Sequence, residues 1–186
     1  VCYDEKVEYW DPLQGTSSKS MLCIELNTCA KIKFSDLKTS FIDFYISGTG
    51  IKTSTNIYEI LFTKLEGIDI EFNDEKGELF KISLSDIKTQ LKHMGFDDEH
   101  AMMPNNLRAF SGYRLLKEFF CFPKKFLFFR LDKLYDALKQ IDSDLINIKF
   151  TFKHDDKLAG VNINQKNFSL FATPVINLFE KVISRF

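Results

Sequence analysis

FSGYRLLKEFFCFPKKFLFFRLD, residues 110–132, decides how this sequence is read: eight of its 23 side chains are aromatic and five are Lys or Arg. Its periodicity changes in the middle. Ser111 is placed to cap a short helix over residues 112–122, and Pro123 prevents that helix from continuing. On such a helix Tyr113, Leu116 and Phe120 line one side, and Leu115, Phe119 and Phe122 line an adjacent one. Arg114 and Glu118, four apart, are expected to pair on the remaining exposed surface, although Arg114 could instead anchor a buried ion pair or meet a partner. Beyond the proline, Leu127, Phe129 and Leu131 alternate with Phe126, Phe128 and Arg130. Both sides are apolar, which predicts a central strand covered on both faces. The expected unit is a helix, a break and a buried strand, with most aromatics turned inward.

The flanking sequence supplies the sheets. In MLCIELNTCAKIKF (residues 21–34), Leu22, Ile24, Leu26, Thr28, Ala30, Ile32 and Phe34 alternate with Cys23, Glu25, Asn27, Cys29, Lys31 and Lys33, as in a half-buried antiparallel strand. FIDFYIS (41–47), GIDIEF (67–72), LFKISL (79–84) and INIKFTFK (146–153) follow the same logic, with weaker strands at VNI (161–163) and FSLFA (168–172). The NDEKG turn joins residues 68–72 and 79–84 into a hairpin. Helices are expected from an Asn56 cap to Gly67, over residues 132–141, and from Thr173–Pro174 onward. The last would carry Val175, Leu178, Phe179, Val182 and Phe186 as an apolar stripe. The predicted class is α+β: mostly antiparallel sheet with short helices at faces and edges, preceded by a lead-in over residues 1–20.

Composition narrows the chemistry. A chain of 186 residues can bury roughly 70% of its unfolded surface without disulfides or metal. With 25 basic and 26 acidic residues it lacks the basic excess of a dedicated nucleic-acid module. Aromatics interleaved with Lys124, Lys125 and Arg130 nevertheless keep one alternative open, a single-strand-binding surface over residues 124–131. Cys2, Cys23, Cys29 and Cys121 form no CxxC pair and read as free thiols of a reducing compartment. No run approaches the length of a membrane span and no signal peptide is recognisable, while the opening Val suggests a piece of a longer protein. His93 and His100 bracket Asp97, Asp98 and Glu99 without metal spacing, and His154 reads as part of a charged turn. No nucleophile–base pair and no phosphate-binding loop appear. Catalysis, cofactors and metals are not expected.

The motifs in register add a resemblance. PNNLRAFSGYRLLKEFFCFPKKFLFFRLDKL (104–134) resembles the central signature of the TssF family, also called VasA or ImpG, of type VI secretion baseplate proteins. The resemblance rests on Phe110, Gly112, Tyr113, Arg114, Glu118, Phe119, Phe122, Pro123, Phe126, Phe128 and Phe129, with the leucines between them. FIDFYISG with IYEILF, MGFDDEHAMMP, and NFSLFATPVINLFEK resemble further family elements in the same order. Lys124, Arg130 and Lys133 depart from it, standing where the family often has Glu, Asp and Gly. Family proteins are several times longer, so the chain is similar to an internal segment. The resemblance implies a structural wedge role at the cytoplasmic side of the bacterial inner membrane, acting through protein–protein contacts with TssG, a second TssF copy, TssE and TssK. It implies neither nucleic-acid binding nor membrane insertion. The signature residues, and Val175, Leu178, Phe179 and Val182 toward the C-terminus, are the expected interaction positions.

Overall fold

The computed structural model describes residues 3–10, 19–48, 50–104, 110–153 and 163–177. In chain order these give β1 (Tyr3–Trp10), β2 (Lys19–Thr28), β3 (Ile42–Ile46), α1 (Ile51–Thr63), β4 (Leu65–Asn73), β5 (Leu79–Ser83) and α2 (Ile87–Gln90). They continue with β6 (Leu91–His93), α3 (Ser111–Cys121), β7 (Phe128–Leu131), α4 (Tyr135–Leu138), β8 (Leu145–Lys153) and β9 (Phe168–Ser169). Five strands form one antiparallel sheet in the order β1-β2-β8-β4-β5, and four form a second in the order β6-β7-β3-β9. The α+β architecture is the one that the alternating segments predict.

Period-2 patterning builds the core. Ile24, Ile148 and Ile70 lie in one row across β2, β8 and β4, and Leu22, Phe150 and Ile68 in another. All six are at most 1% exposed. From the second sheet, Phe44 on β3 stacks on Phe129 of β7, with centroids 5.0 Å apart. Phe129 then meets Phe150 edge-on at 6.4 Å, joining the two sheets in one core with Ile57, Ile60 and Leu61 of α1. The opposite face of the larger sheet is polar, with Lys149 paired to Glu71 at 2.5 Å and Lys81 to Asp69 at 3.0 Å.

Several boundaries differ from the expectations. Residues 3–10 are a sheet strand rather than a lead-in, pairing with β2 along their whole length. An edge strand rich in charge carries little apolar alternation to reveal it. β2 stops at Thr28, because Ala30 and Lys31 take left-handed dihedrals (φ 60° and 55°) and turn the chain. Phe34 still reaches the core after that turn, whereas Ile32 is exposed. Helix α1 begins after Gly50 rather than at Asn56, and ends at Thr63 with Lys64 as its C-cap. Gly67 is instead a β4 residue beside a register shift. The helix over residues 132–141 shrinks to α4, yet Leu134, Leu138 and Ile141 are buried as expected. β9 keeps only two residues of the 168–172 strand, and Ile163 is buried outside any strand. Residues 173–177 are not helical, and Leu178, Phe179, Val182 and Phe186 lie outside the described residues, as do His154, Cys2 and residues 161–162.

Candidate interaction surface around helix α3

Helix α3 forms where predicted, but Phe110 is its N-cap and Ser111 its first residue, with no side-chain cap. Its orientation is the reverse of the expected one. Arg114 and Glu118, assigned to the solvent face, are 5% and 0% exposed. Tyr113, Leu116, Phe119 and Phe120, assigned to the core, are between 53% and 80% exposed.

The inversion has a polar cause. Oε1 of Glu118 accepts the backbone N–H groups of Met102 and Met103, each at 2.9 Å. Its Oε2 accepts a hydrogen bond from Nζ of Lys125, itself 2% exposed. Arg114 lies with Nη1 3.7 Å from the same carboxylate and donates through Nη2 to Oδ1 of Asp98 at 2.7 Å. Burial pushes the Glu118 carboxyl up, but the bonds from Lys125 and from the Met103 and Met102 amides outweigh it and hold the pKa below its ordinary value. The group is therefore ionised at neutral pH. Nε and Nη1 of Arg114 meet no acceptor among the described residues. The cluster clamps three segments together: α3, the Asp98–Met103 stretch and the Pro123–Phe126 turn.

Past that turn the predicted burial holds, although the strand begins only at Phe128 and leaves Phe126 in the turn. β7 is central in its sheet, and Phe126, Phe128 and Phe129 are 7%, 7% and 0% exposed. Arg130 makes a bidentate pair with Asp43 (2.6 and 2.8 Å) and lies over the Phe41 ring at 3.9 Å. These contacts remove the alternative nucleic-acid surface. Its phenylalanines are inside, Lys125 and Arg130 are engaged by carboxylates, and only Lys124 remains exposed.

What α3 leaves exposed is apolar. Phe110 (73% exposed), Tyr113 and Phe119 border an open groove of about 480 Å³ whose far wall is Phe96 and Phe126. Gly112 makes room for the Phe110 ring: a Cβ there would fall 2.4 Å from Cε1 of Phe110. Steric space, rather than an unusual dihedral, is this glycine's contribution. Behind the turn, Phe122 and half-buried Pro123 line a second, open cavity of about 470 Å³, which Ala172–Val175 also border. Val175, expected on a helical stripe, is 80% exposed on non-helical chain. Sequence reasoning missed Lys125, Asp98 and the Met102 and Met103 amides. No helical spacing links these groups across a proline and a loop.

The family model described as "Type VI secretion system, TssF" matches residues 6–186. The chain belongs to the TssF family. It is 31% identical over 169 residues to the type VI secretion system component TssF1 of Pseudomonas aeruginosa, covering 90% of this chain and 26% of that relative. The chain therefore spans about a quarter of the length of the curated TssF protein it matches. A chain in a cryo-electron microscopy structure of the TssK-TssF-TssG baseplate subcomplex shares the fold, with a TM-score of 0.68 at 19% identity. That likeness covers 89% of this chain and 30% of the other. Among the described residues no helix is long and apolar enough to cross a membrane, and no group of three His, Cys, Asp or Glu side chains could hold a metal ion.

Proposed function

We propose that this chain is a structural segment of a type VI secretion baseplate wedge and works by protein–protein contact rather than catalysis. The observation that carries the reading is α3. A buried ion cluster fixes the helix so that its aromatic residues face outward, an arrangement that favours binding over self-stability. Family membership and the occurrence of a fold relative in a TssK-TssF-TssG subcomplex support it and name TssG and TssK as contacts to test. A second TssF copy and TssE are further proposed contacts that rest on the family resemblance alone. The implied site of action is the cytoplasmic side of the inner membrane.

The test is assembly. The full-length protein, co-expressed with TssG and TssK of the same system, should elute with them as one complex in size-exclusion chromatography. Failure to associate, with each component separately folded, overturns the proposal.

A further inference from the structure

We propose that the outward face of α3 is a helix-docking groove, occupied by an amphipathic helix of a different polypeptide whose apolar stripe is edged by acidic residues. The inference rests on the baseplate reading and assigns its contact to one surface.

Area is the first argument. Phe96, Phe110, Tyr113, Leu116, Phe119 and Phe120 are all 45–80% exposed. Aromatic side chains offer on the order of 150–250 Å² each, so the five aromatics, with Leu116 beside them, expose roughly 600 Å². An ordinary monomer's largest apolar patch is about 300–600 Å², and a stable interface buries about 800 Å² per partner. The patch thus supplies most of one side of a standard interface. Shape is the second. Tyr113, Leu116 and Phe120 follow i, i+3, i+7 spacing along the 11 residues of α3, and the first two line the groove together with Phe96 and Phe126. A ridge of that spacing beside a trough is the geometry of helix-in-groove recognition.

Charge selects the occupant. The only carboxylate of α3, Glu118, is fully buried, so the charges left outside along this helix and its turn are Lys117 and Lys124. A second copy docked antiparallel about Leu116 would set Lys117 against its own equivalent, a repulsion that disfavours self-pairing. An acidic edge on the incoming helix meets Lys117 instead, whereas Lys124 lines the second cavity behind the turn. At the other wall Asp97, Asp98 and Glu99 follow Phe96 and are exposed, so that wall carries the opposite sign and the acidic edge of the incoming helix lies on the α3 side.

The experiment uses the full-length protein with TssG and TssK as probes, comparing wild type with Tyr113→Asp, Phe120→Asp and Lys117→Glu. The expected result is a tenfold or greater loss of affinity for one of the two in both aspartate variants. Lys117→Glu should give a smaller loss that shrinks as salt rises, and every melting temperature should match wild type. Wild-type assembly with undiminished binding by the aspartate variants overturns the groove but leaves the baseplate reading standing. Wild type that binds neither component overturns the baseplate reading itself. A fall in the melting temperature of the isolated variants shows a face covered within the protein and overturns the proposal. So does self-association of wild type, seen by sedimentation, that the variants abolish.

Discussion

Phe119 and Phe126 are neighbouring rings with centroids 5.9 Å apart, yet one is 53% exposed and the other 7%. Phe126→Ala opens a cavity and should cost about 3–5 kcal/mol. Phe119→Ala removes a half-solvated ring and should cost under about 1 kcal/mol. Urea denaturation of the two variants side by side checks the contrast. Lys133 offers the opposite sign. It holds φ at 58°, a left-handed value that costs a side-chain-bearing residue about 1–2 kcal/mol. The family resemblance places glycine there. Lys133→Gly relieves that strain but loosens the unfolded chain by roughly 0.5–1 kcal/mol, so a net gain of up to about 1 kcal/mol is expected in the same denaturation series. At this scale the sequence was legible where neighbours decide little. Ile24, Ile148 and Phe129 follow from alternation alone. Lys125 does not, because only the fold brings a carboxylate to it.

Between elements, the Glu118 cluster decides which way α3 faces. Leu115, Leu116, Phe119 and Phe120 lie on one side of this helix and Arg114, Lys117 and Glu118 on the other, so amphipathicity alone would bury the apolar side, and the two N–H groups and one ammonium that meet Glu118 turn the polar side inward instead. Glu118→Ala would strand Lys125 as a buried cation and leave Arg114 with Asp98 as its carboxylate partner, at a cost of about 3–5 kcal/mol. Replacing Lys125 with Met should cost less, since Glu118 keeps two backbone donors and the nearby guanidinium. The cluster is also acid-labile. Because the folded Glu118 titrates below its unfolded value of about 4.3, its contribution is complete above that pH and is lost as pH falls through the lower folded value. Thermal melts in a pH series should therefore drop below about pH 4, and Glu118→Gln should flatten that part of the profile. A drop of equal size in the variant would locate the acid sensitivity elsewhere.

At the scale of the molecule, two sheets share one core, and most strands of both were recognisable before their order was, β1 and the three-residue β6 being the exceptions. Alternation reveals that a segment has a buried side. It does not reveal which strand lies beside it, which is why the hairpin β4–β5 was predictable and the insertion of β8 between β2 and β4 was not. That insertion sets a timetable. Asn27 pairs with Leu145 and Lys19 with Lys153, so the middle of the larger sheet is synthesised long after the strands on either side of it. Closing such distant pairs is slow, and until it happens both neighbours keep open, apolar-faced edges. A nascent chain released before residue 145 should be captured by chaperones or precipitate, while one extending past β9 should become protease-resistant. Pulse-labelled translation with limited proteolysis at increasing lengths would show resistance appearing in a single late step.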